Sequence, residues 1–165
     1  MYPIATTTVG SGGVSSITFS SIPQTFTHLQ LRGTAQSTGG GNTYCVLSFN
    51  SDTTSSHYND HYLTGTGSTV VSGADVGTVP GMAYNNITYT TSFGVQITDL
   101  LDYTNTNKYK TMRSITGYDA NGSGQVNLHS GLWLSTSAIT SLTVSVASGN
   151  FASGSTFQLY GITTA

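Results

Sequence analysis

Short runs in which apolar and polar residues alternate recur along almost the whole chain of 165 residues. Alternation with a period of two places every second side chain on the same face of an extended strand. In SITFSSI the residues Ile17 and Phe19 share a face, and in THLQLRG the residues Leu29 and Leu31 do. Clusters of Gly, Ser and Asn separate these runs, as turns separate strands. The pattern predicts eight or more short strands in a sandwich or a barrel.

The run FASGSTFQLYGI is the best-formed strand of the set. Phe157 and Leu159 point to one face of it, and Tyr160 and Ile162 point to the other. Apolar residues on both faces are typical of a strand that is covered on both sides. We therefore expect this strand in the middle of a sheet, or covered on one side by another subunit.

The composition favours strands over helices. Charged residues make up 6% of the chain, against about 25% in an ordinary soluble domain, and glutamate is absent. Little material remains for a solvated helix face, whereas Thr suits a pleated surface. We expect one all-β domain over residues 14–165, preceded by a candidate N-terminal arm over residues 1–13. The main loops are expected at 33–43 and 64–81. One helical turn is expected at Asp99–Tyr103.

The few charges also bear on association. The net charge is −2, and Lys and Arg together number four, so the sheet edges lack the charges that usually prevent edge-to-edge pairing. We expect neighbouring subunits to cover these edges; the alternative is that Pro3, Pro23, Pro80 and the Gly-rich loops protect them.

The single Cys45 excludes an internal disulfide and is expected to be a buried thiol. No stretch approaches the roughly 20 apolar residues of a membrane span.

Two stretches carry residue types that bind metal ions. HYNDHY offers His57, Asp60 and His61, but on a strand four residues separate the two histidines by about 13 Å, which is too far for one ion. DANGSGQVN resembles the first half of a calcium loop, yet its twelfth position, where a bidentate Glu belongs, is Ser130. A hairpin turn built on Asn-Gly explains the second stretch more simply. We expect no metal and no other cofactor.

The sequence does not favour catalysis. It contains no G-x-S-x-G nucleophile elbow. Asp99 and Asp102 are the closest pair of carboxylates for glycoside hydrolysis. At that spacing on a turn they are better read as cap and surface residues. We expect the protein not to be an enzyme.

Three of the four basic residues lie close together in KYKTMR. Lys108 and Lys110 would share one face of a strand, and Arg113 would lie on the other. A nucleic-acid surface is normally broader and belongs to a basic domain, whereas this chain has a pI of about 6.0. We expect no nucleic-acid binding. The three residues either pair locally with Asp99 and Asp102 or contact an acidic neighbouring subunit.

Several stretches resemble a family of small all-β virion structural proteins of tailed phages, found in phages of aquatic bacteria and cyanophages. They are GGVSSITFSSIPQTFTHLQLRGTAQS, SFNSDTTSSHYNDHYLTGTGS, DYTNTNKYKTMRSITGYDANGSGQVNLHSGLW, AITSLTV and NFASGSTFQLYGI. The most specific parts are NKYKT and the final F-x-x-G-S-x-F-x-L-Y-G-I pattern. The resemblance implies a jelly-roll-like antiparallel β-sandwich, a homotrimer and no catalytic residues.

The resemblance leaves the place on the particle open. Its leading implication is a capsid decoration (cement) protein that clamps neighbouring major capsid proteins, assembled in the bacterial host cytoplasm and carried in the virion. The first alternative is a tail or fibre subunit that binds host surface glycans, and the second is a carbohydrate-binding β-sandwich module. In these alternatives four aromatic residues would stack on sugar rings: Tyr58, Tyr62, Tyr84 and Trp133.

Overall fold

The computed structural model of the protein describes residues 1–39, 43–79, 81–87 and 92–164, with the backbone alone for 82–87. The described residues form twelve strands and one short 3-10 helix, Ser55–His57. Among the described residues, no helix is long and apolar enough to cross a membrane. The strands are β1 (Tyr2–Thr8), β2 (Ser16–Phe19), β3 (His28–Ala35), β4 (Thr43–Phe49), β5 (Tyr58–Gly65), β6 (Val70–Val76), β7 (Met82–Ile87), β8 (Gly94–Leu101), β9 (Lys110–Asp119), β10 (Gly124–Trp133), β11 (Leu142–Val146) and β12 (Thr156–Ile162).

The strands form two antiparallel sheets. The large sheet has the order β1-β12-β3-β8-β9-β10-β5-β6, and the small sheet has the order β2-β11-β4-β7. Apolar side chains from both sheets fill the space between them, including Leu31, Phe49 and Leu159, and Cys45 is buried among them as expected. The expected all-β antiparallel sandwich is confirmed.

The strand pairs are nested in the order of a jelly roll. β1 pairs with β12, β2 with β11, β3 with β8 and β4 with β7. These eight strands make the two four-stranded sheets of that architecture. The remaining four strands, β9, β10, β5 and β6, continue the large sheet beyond β8. One sheet is therefore twice as wide as the other.

β12 lies between β1 and β3, as its apolar residues on both faces predict. Phe157 and Leu159 are fully buried between the sheets. Gly161 on the same face leaves the space that the ring of Phe26 fills, because a Cβ at this position would fall inside that ring. The glycine of the Y-G-I pattern is thus a packing requirement.

Two expected loops and one expected helical turn differ from the structure. The expected loop 64–81 contains β6, and the expected loop 33–43 includes the end of β3 and the start of β4. The expected helical turn at Asp99–Tyr103 is wrong, because β8 continues to Leu101 and Asp102 turns the chain with a φ of 50°. Residues 1–13, the candidate arm, include β1, which in this chain pairs with β12 along the edge of the large sheet.

Candidate interaction surface

The side of the large sheet that faces away from the small sheet, called the outer face below, carries exposed apolar side chains. Val95 and Ile97 on β8 point outward, as do Ile115 on β9 and Val126 and Leu128 on β10. Val126 is 64% exposed and Ile115 is 58% exposed. Single exposed apolar residues are ordinary, but a contiguous group marks a surface that binds a partner.

The strand register aligns these side chains in two rows across the sheet. In the first row Leu63, Leu128, Ile115 and Ile97 are successive cross-strand partners. In the second row the succession is Gly65, Val126, Gly117 and Val95. Gly117 leaves a depression between the two valines, part of a shallow cavity of about 630 Å³. The apolar patch consists of Leu63, Val95, Ile97, Ile115, Val126 and Leu128.

A polar row closes one end of the apolar patch. Nη2 of Arg113 on β9 lies 3.6 Å from Oδ2 of Asp99 on β8. Oδ1 of Asp99 accepts a hydrogen bond from Nε2 of Gln30 at 2.8 Å, and Oε1 of Gln30 accepts one from Nε of Arg32 at 2.7 Å. Both ions of the Arg113–Asp99 pair border the patch. The outer face therefore offers an apolar centre with a positive and a negative group side by side at its margin.

The opposite side of the same strands is polar although it is buried. Thr98 and Ser114 share a hydrogen bond between their hydroxyl groups at 2.8 Å. The side chain of Asn127 accepts a hydrogen bond from Oγ1 of Thr64 at 2.7 Å and donates one to Oγ1 of Thr116 at 3.1 Å. A half-covered antiparallel sheet normally buries its apolar face and exposes its polar one. Directly behind the apolar patch, on β8, β9, β10 and β5, this polarity is reversed, so the apolar patch is available to a partner.

His129 and Asp60 lie deeper in this polar interior. Nδ1 of His129 is 3.9 Å from Oδ2 of Asp60, and neither ring nitrogen of the histidine has a hydrogen-bond partner among the described residues. The ring of Tyr62 packs against His129 with the ring centroids 5.9 Å apart. Within the described residues, no group of three or more His, Cys, Asp or Glu side chains is placed to hold a metal ion. His57 and His61 lie on different elements, the end of the 3-10 helix and β5.

Asp52 is the centre of a hydrogen-bond cluster that sequence reasoning missed. Its Oδ2 accepts from Nε1 of Trp133 at 2.8 Å and lies 2.8 Å from Nδ1 of His57, and its Oδ1 accepts from the backbone N–H of Thr54 at 3.0 Å. Burial alone would raise the pKa of Asp52, but the bonds from Trp133, His57 and Thr54 outweigh it and hold that pKa well below its ordinary value. The bond from Trp133 joins residues 81 positions apart in the sequence, which is why no local pattern predicts the cluster.

Tyr58 completes this cluster from the core side. Its hydroxyl donates to the backbone carbonyl of Asp52 at 2.8 Å and accepts from the N–H of Phe49 at 3.2 Å. Burial, together with the nearby Asp52 carboxylate, raises the pKa of Tyr58 to about 12, although the bond from Phe49 acts in the opposite sense. The cluster fixes the loop between β4 and β5 against the end of β10.

The four aromatic residues proposed for glycan stacking do not form one exposed platform. Tyr58 is 1% exposed and Trp133 is 2% exposed, and their rings stack on each other inside the core at 6.4 Å. Tyr62 is half-buried and lies over Gly73, whose Cβ, if present, would meet its ring. The side chain of Tyr84 lies outside the described residues. Neither Tyr58 nor Trp133 leaves a ring face open to a sugar.

The three basic residues of KYKTMR are separated by the fold. Lys110 is buried, and its ammonium donates to the backbone carbonyls of Asn105, Lys108 and Thr136 at 2.5, 3.0 and 3.0 Å. Burial, and then the charge of Lys108, lowers the pKa of Lys110. Lys110 is therefore a structural residue and has no surface with which to contact a partner.

The other two basic residues remain at the surface. The Lys108 ammonium pairs with the Asp102 carboxylate, and this contact, ahead of the nearby His28, lowers the pKa of Asp102. Arg113 pairs with Asp99 on the outer face. These ion pairs are the local pairings that the sequence analysis gave as one of two possibilities. Of the three basic residues, Arg113 alone borders the apolar patch.

The stretch that resembles half of a calcium loop is the hairpin turn between β9 and β10. Asn121 and Gly122 have φ angles of 57° and 107°, so both occupy the left-handed region that a type I′ turn requires. Oδ1 of Asp119 accepts from the backbone N–H of Asn121 at 2.8 Å, and the N–H of Ala120 donates to the carbonyl of Ser123 at 2.7 Å. The Asp119 side chain thus serves the turn.

Comparisons of the chain with protein-family models, with curated proteins and with solved structures find no match.

Proposed function

We propose that this protein is a non-enzymatic structural component of a phage virion. In the most specific form of the proposal, it is a capsid decoration protein that assembles as a homotrimer and clamps neighbouring major capsid proteins. The observation that carries the proposal is the apolar patch on the outer face, in which six aliphatic side chains form an open surface on four adjacent strands. Such a surface fits another protein better than a small molecule, which favours a concave and enclosed site.

The low charge of the chain supports the same proposal. An interface built from Thr, Ser, Asn and aliphatic side chains forms without the desolvation of many ions, which is costly. On a repetitive particle each copy binds several neighbours at once, and the linked contacts add avidity that no single contact supplies. The mechanism is mechanical, since the contacts resist separation of the shell proteins.

The fold is shared by proteins of both candidate roles. Jelly rolls occur in viral capsid proteins and also in lectins, and one fold supports many functions. Glycan binding by a tail or fibre subunit is less favoured, because Tyr58 and Trp133 are buried. The particle role accordingly rests on the resemblance and on the apolar patch together.

The test is made on purified particles. We expect the protein to be found by mass spectrometry in many more copies per particle than a tail fibre. Selective removal of the protein should lower the temperature at which the shell releases its DNA, and re-addition of the purified protein should restore that temperature. A shell whose thermal stability is unchanged by removal would contradict the decoration role, and a copy number typical of fibres would favour the tail alternative.

A further inference from the structure

β6 is the last strand of the large sheet, and within the described residues no strand pairs with its free side. The hairpin of β5 and β6 determines which residues face that side. The N–H of Gly77 donates to the carbonyl of Tyr58 at 2.9 Å, and hydrogen-bonded residues alternate along an antiparallel pair. Every second residue before Gly77 therefore bonds to β5. The backbone groups that face the free side belong to the residues between them: Val70, Ser72, Ala74 and Val76.

The free side of β6 lacks the features that protect the other sheet edges. Edge strands are normally protected by proline, a bulge, short length or charge. β1 carries Pro3 and a bulge before Ala5, β2 has four residues, and a bulge breaks the register of β7 on β4. β6 pairs with β5 in unbroken register and contains no proline. Its one charged residue is Asp75, which lies on the inner face of the sheet.

Asp75 determines which strands can pair with β6. It stands directly opposite Asp60 of β5, and like charges in opposite positions destabilise a sheet. Oδ2 of the buried Asp60 accepts no hydrogen bond, and Asp75 forms neither a hydrogen bond nor an ion pair within the described residues. An added antiparallel strand would meet Asp75 in a non-hydrogen-bonded pair, where opposite side chains approach most closely. A Lys or Arg at that position would compensate both carboxylates.

Tyr62 extends towards the same free side. Its side chain crosses β6 over Gly73, where a Cβ would collide with the phenol oxygen. The hydroxyl of Tyr62 forms no hydrogen bond within the described residues. It is therefore available to a strand that is added beside β6.

The outer face of β6 continues the apolar patch. Ser72 is the cross-strand partner of Leu63, the patch residue on β5, and the ends of β6 carry Val70 and Val76 on the same face. These two valines are 74% and 63% exposed. A strand added to β6 would thus extend the outer face with aliphatic side chains, while its inner face would meet Asp75.

We propose that β6 binds an extended segment of a different protein as an additional antiparallel strand, with aliphatic side chains on the outer face and a Lys or Arg opposite Asp75. Strand addition of this kind takes its affinity from the backbone and its specificity from alternate side chains. A second copy does not fit, because β1, β2, β6 and β7, the edge strands of this chain, contain no Lys or Arg. An uncharged strand would bury the Asp75 carboxylate without a partner, which is costly. The inference rests on the proposed function, in which the different protein is the neighbouring capsid protein.

The test uses the isolated protein and two synthetic peptides of seven residues, so it requires no particle. Val and Thr alternate in both peptides, except that the second residue is Lys in one and Glu in the other. When the first residue lies opposite Val76, the second lies opposite Asp75. In two-dimensional NMR spectra the Lys peptide should shift the amide signals of β6, with a Kd of about 1 mM. The Glu peptide should bind at least about 10-fold more weakly.

Three variants test the arrangement. Ser72→Pro removes an N–H from the free side and leaves the bonds to β5 intact, so it should weaken binding of the Lys peptide by about 10-fold or more. Thr6→Pro is the matched control at the opposite edge of the sheet. The N–H of Val9 bonds to Ser155 of the β12 side, so the alternation turns the N–H of Thr6 to the free side of β1. This control should leave the Kd within about twofold of the wild-type value. Asp75→Asn should abolish the preference for Lys over Glu, and circular dichroism should show all three variants folded.

Four results would overturn the inference. They are unchanged β6 amide signals at peptide concentrations up to about 10 mM, equal binding of the two peptides, full binding by Ser72→Pro, and tighter binding of the Lys peptide by Asp75→Asn. The last result would mean that Asp75 merely guards the edge. On particles from which the protein has been removed, Asp75→Asn should restore the DNA-release temperature less than the wild type does. If the wild type restores nothing, the proposed function fails, whereas the peptide experiment still decides the inference.

Discussion

The indole Nε1 of Trp133 donates a hydrogen bond to Oδ2 of Asp52 at 2.8 Å, joining the end of β10 to the loop that precedes β5. The same carboxylate lies within hydrogen-bond distance of His57 and accepts from the backbone of Thr54. A single side chain therefore satisfies the donor of a buried indole and orders a loop. Its contribution should appear in stability rather than in any activity.

Replacing Asp52 by Ala should lower the free energy of unfolding by about 2 to 4 kcal/mol, because the buried Trp133 N–H loses its charged acceptor. Asp75 on β6 offers a control, and Asp75→Ala should change the stability by less than about 0.5 kcal/mol. Urea unfolding followed by the fluorescence of Trp133, the one tryptophan of the chain, measures both variants. Equal losses in the two variants would contradict the role assigned to Asp52.

Stability should fall in acid. The pKa values of Asp52 and Asp102 are lower in the folded chain than their ordinary value of 3.8. Their contribution is therefore complete above about pH 5 and is lost as the pH falls through 3.8 towards the folded values. The slope should approach about 1.4 kcal/mol per pH unit for Asp52. It should be smaller for Asp102, because the exposed ammonium of Lys108 is screened by solvent. The urea concentration at the midpoint of unfolding, measured between pH 7 and pH 2, should fall accordingly. In Asp52→Ala this midpoint should fall less over the same pH range.

Lys110 and Lys108 are two residues apart, but their substitution should lower the stability to very different extents. Lys110→Met removes the donor shared by three backbone carbonyls and should cost about 2 to 4 kcal/mol of stability. Lys108→Met removes an exposed ion pair with Asp102 and should cost less than about 1 kcal/mol. Thermal denaturation followed by circular dichroism compares the two, and a larger loss in Lys108→Met would overturn the structural assignment of Lys110.

Gly161→Ala should destabilise the protein by about 1 to 3 kcal/mol, because the added methyl group overlaps the ring of Phe26. Gly10 is a suitable control, since a Cβ there meets no atom within 4 Å. Gly10→Ala should be within about 0.5 kcal/mol of the wild-type value. A further variant, Phe26→Leu combined with Gly161→Ala, should recover part of the loss if the overlap is its cause.

Alternation in the sequence predicts which residues share a face of a strand, and this prediction is confirmed for Ile17 and Phe19 and for Phe157 and Leu159. It does not predict which face turns inward. Val95 and Ile97 share one face of β8, yet that face is exposed while Gln96 on the other face is buried. The direction depends on hydrogen-bonded partners from other strands, which a single run of sequence does not contain.

The candidate surface could be anticipated only in part. The small number of charged residues indicated association, but the apolar patch joins residues of four strands from Leu63 to Leu128 that only the sheet order brings together. Tyr58 stands between the polar residues His57 and Asn59, and Trp133 stands between Leu132 and Leu134. Neither neighbourhood predicts the Asp52 cluster that holds both rings in the core. The burial of Lys110 could not be predicted for the same reason, since an ammonium is buried only when the backbone supplies acceptors from distant loops.

The nested order of the jelly roll has a consequence for synthesis. β1 is made first, but its partner β12 follows almost the whole of the remaining chain. At about 5 to 20 residues per second, β1 waits roughly 8 to 30 s without the strand beside which it belongs. Throughout that interval β3 also lacks the neighbour that separates it from β1. The newly made chain is therefore most vulnerable to pairing with other chains just before β12 leaves the ribosome, and a chaperone that holds β1 would raise the yield of folded protein.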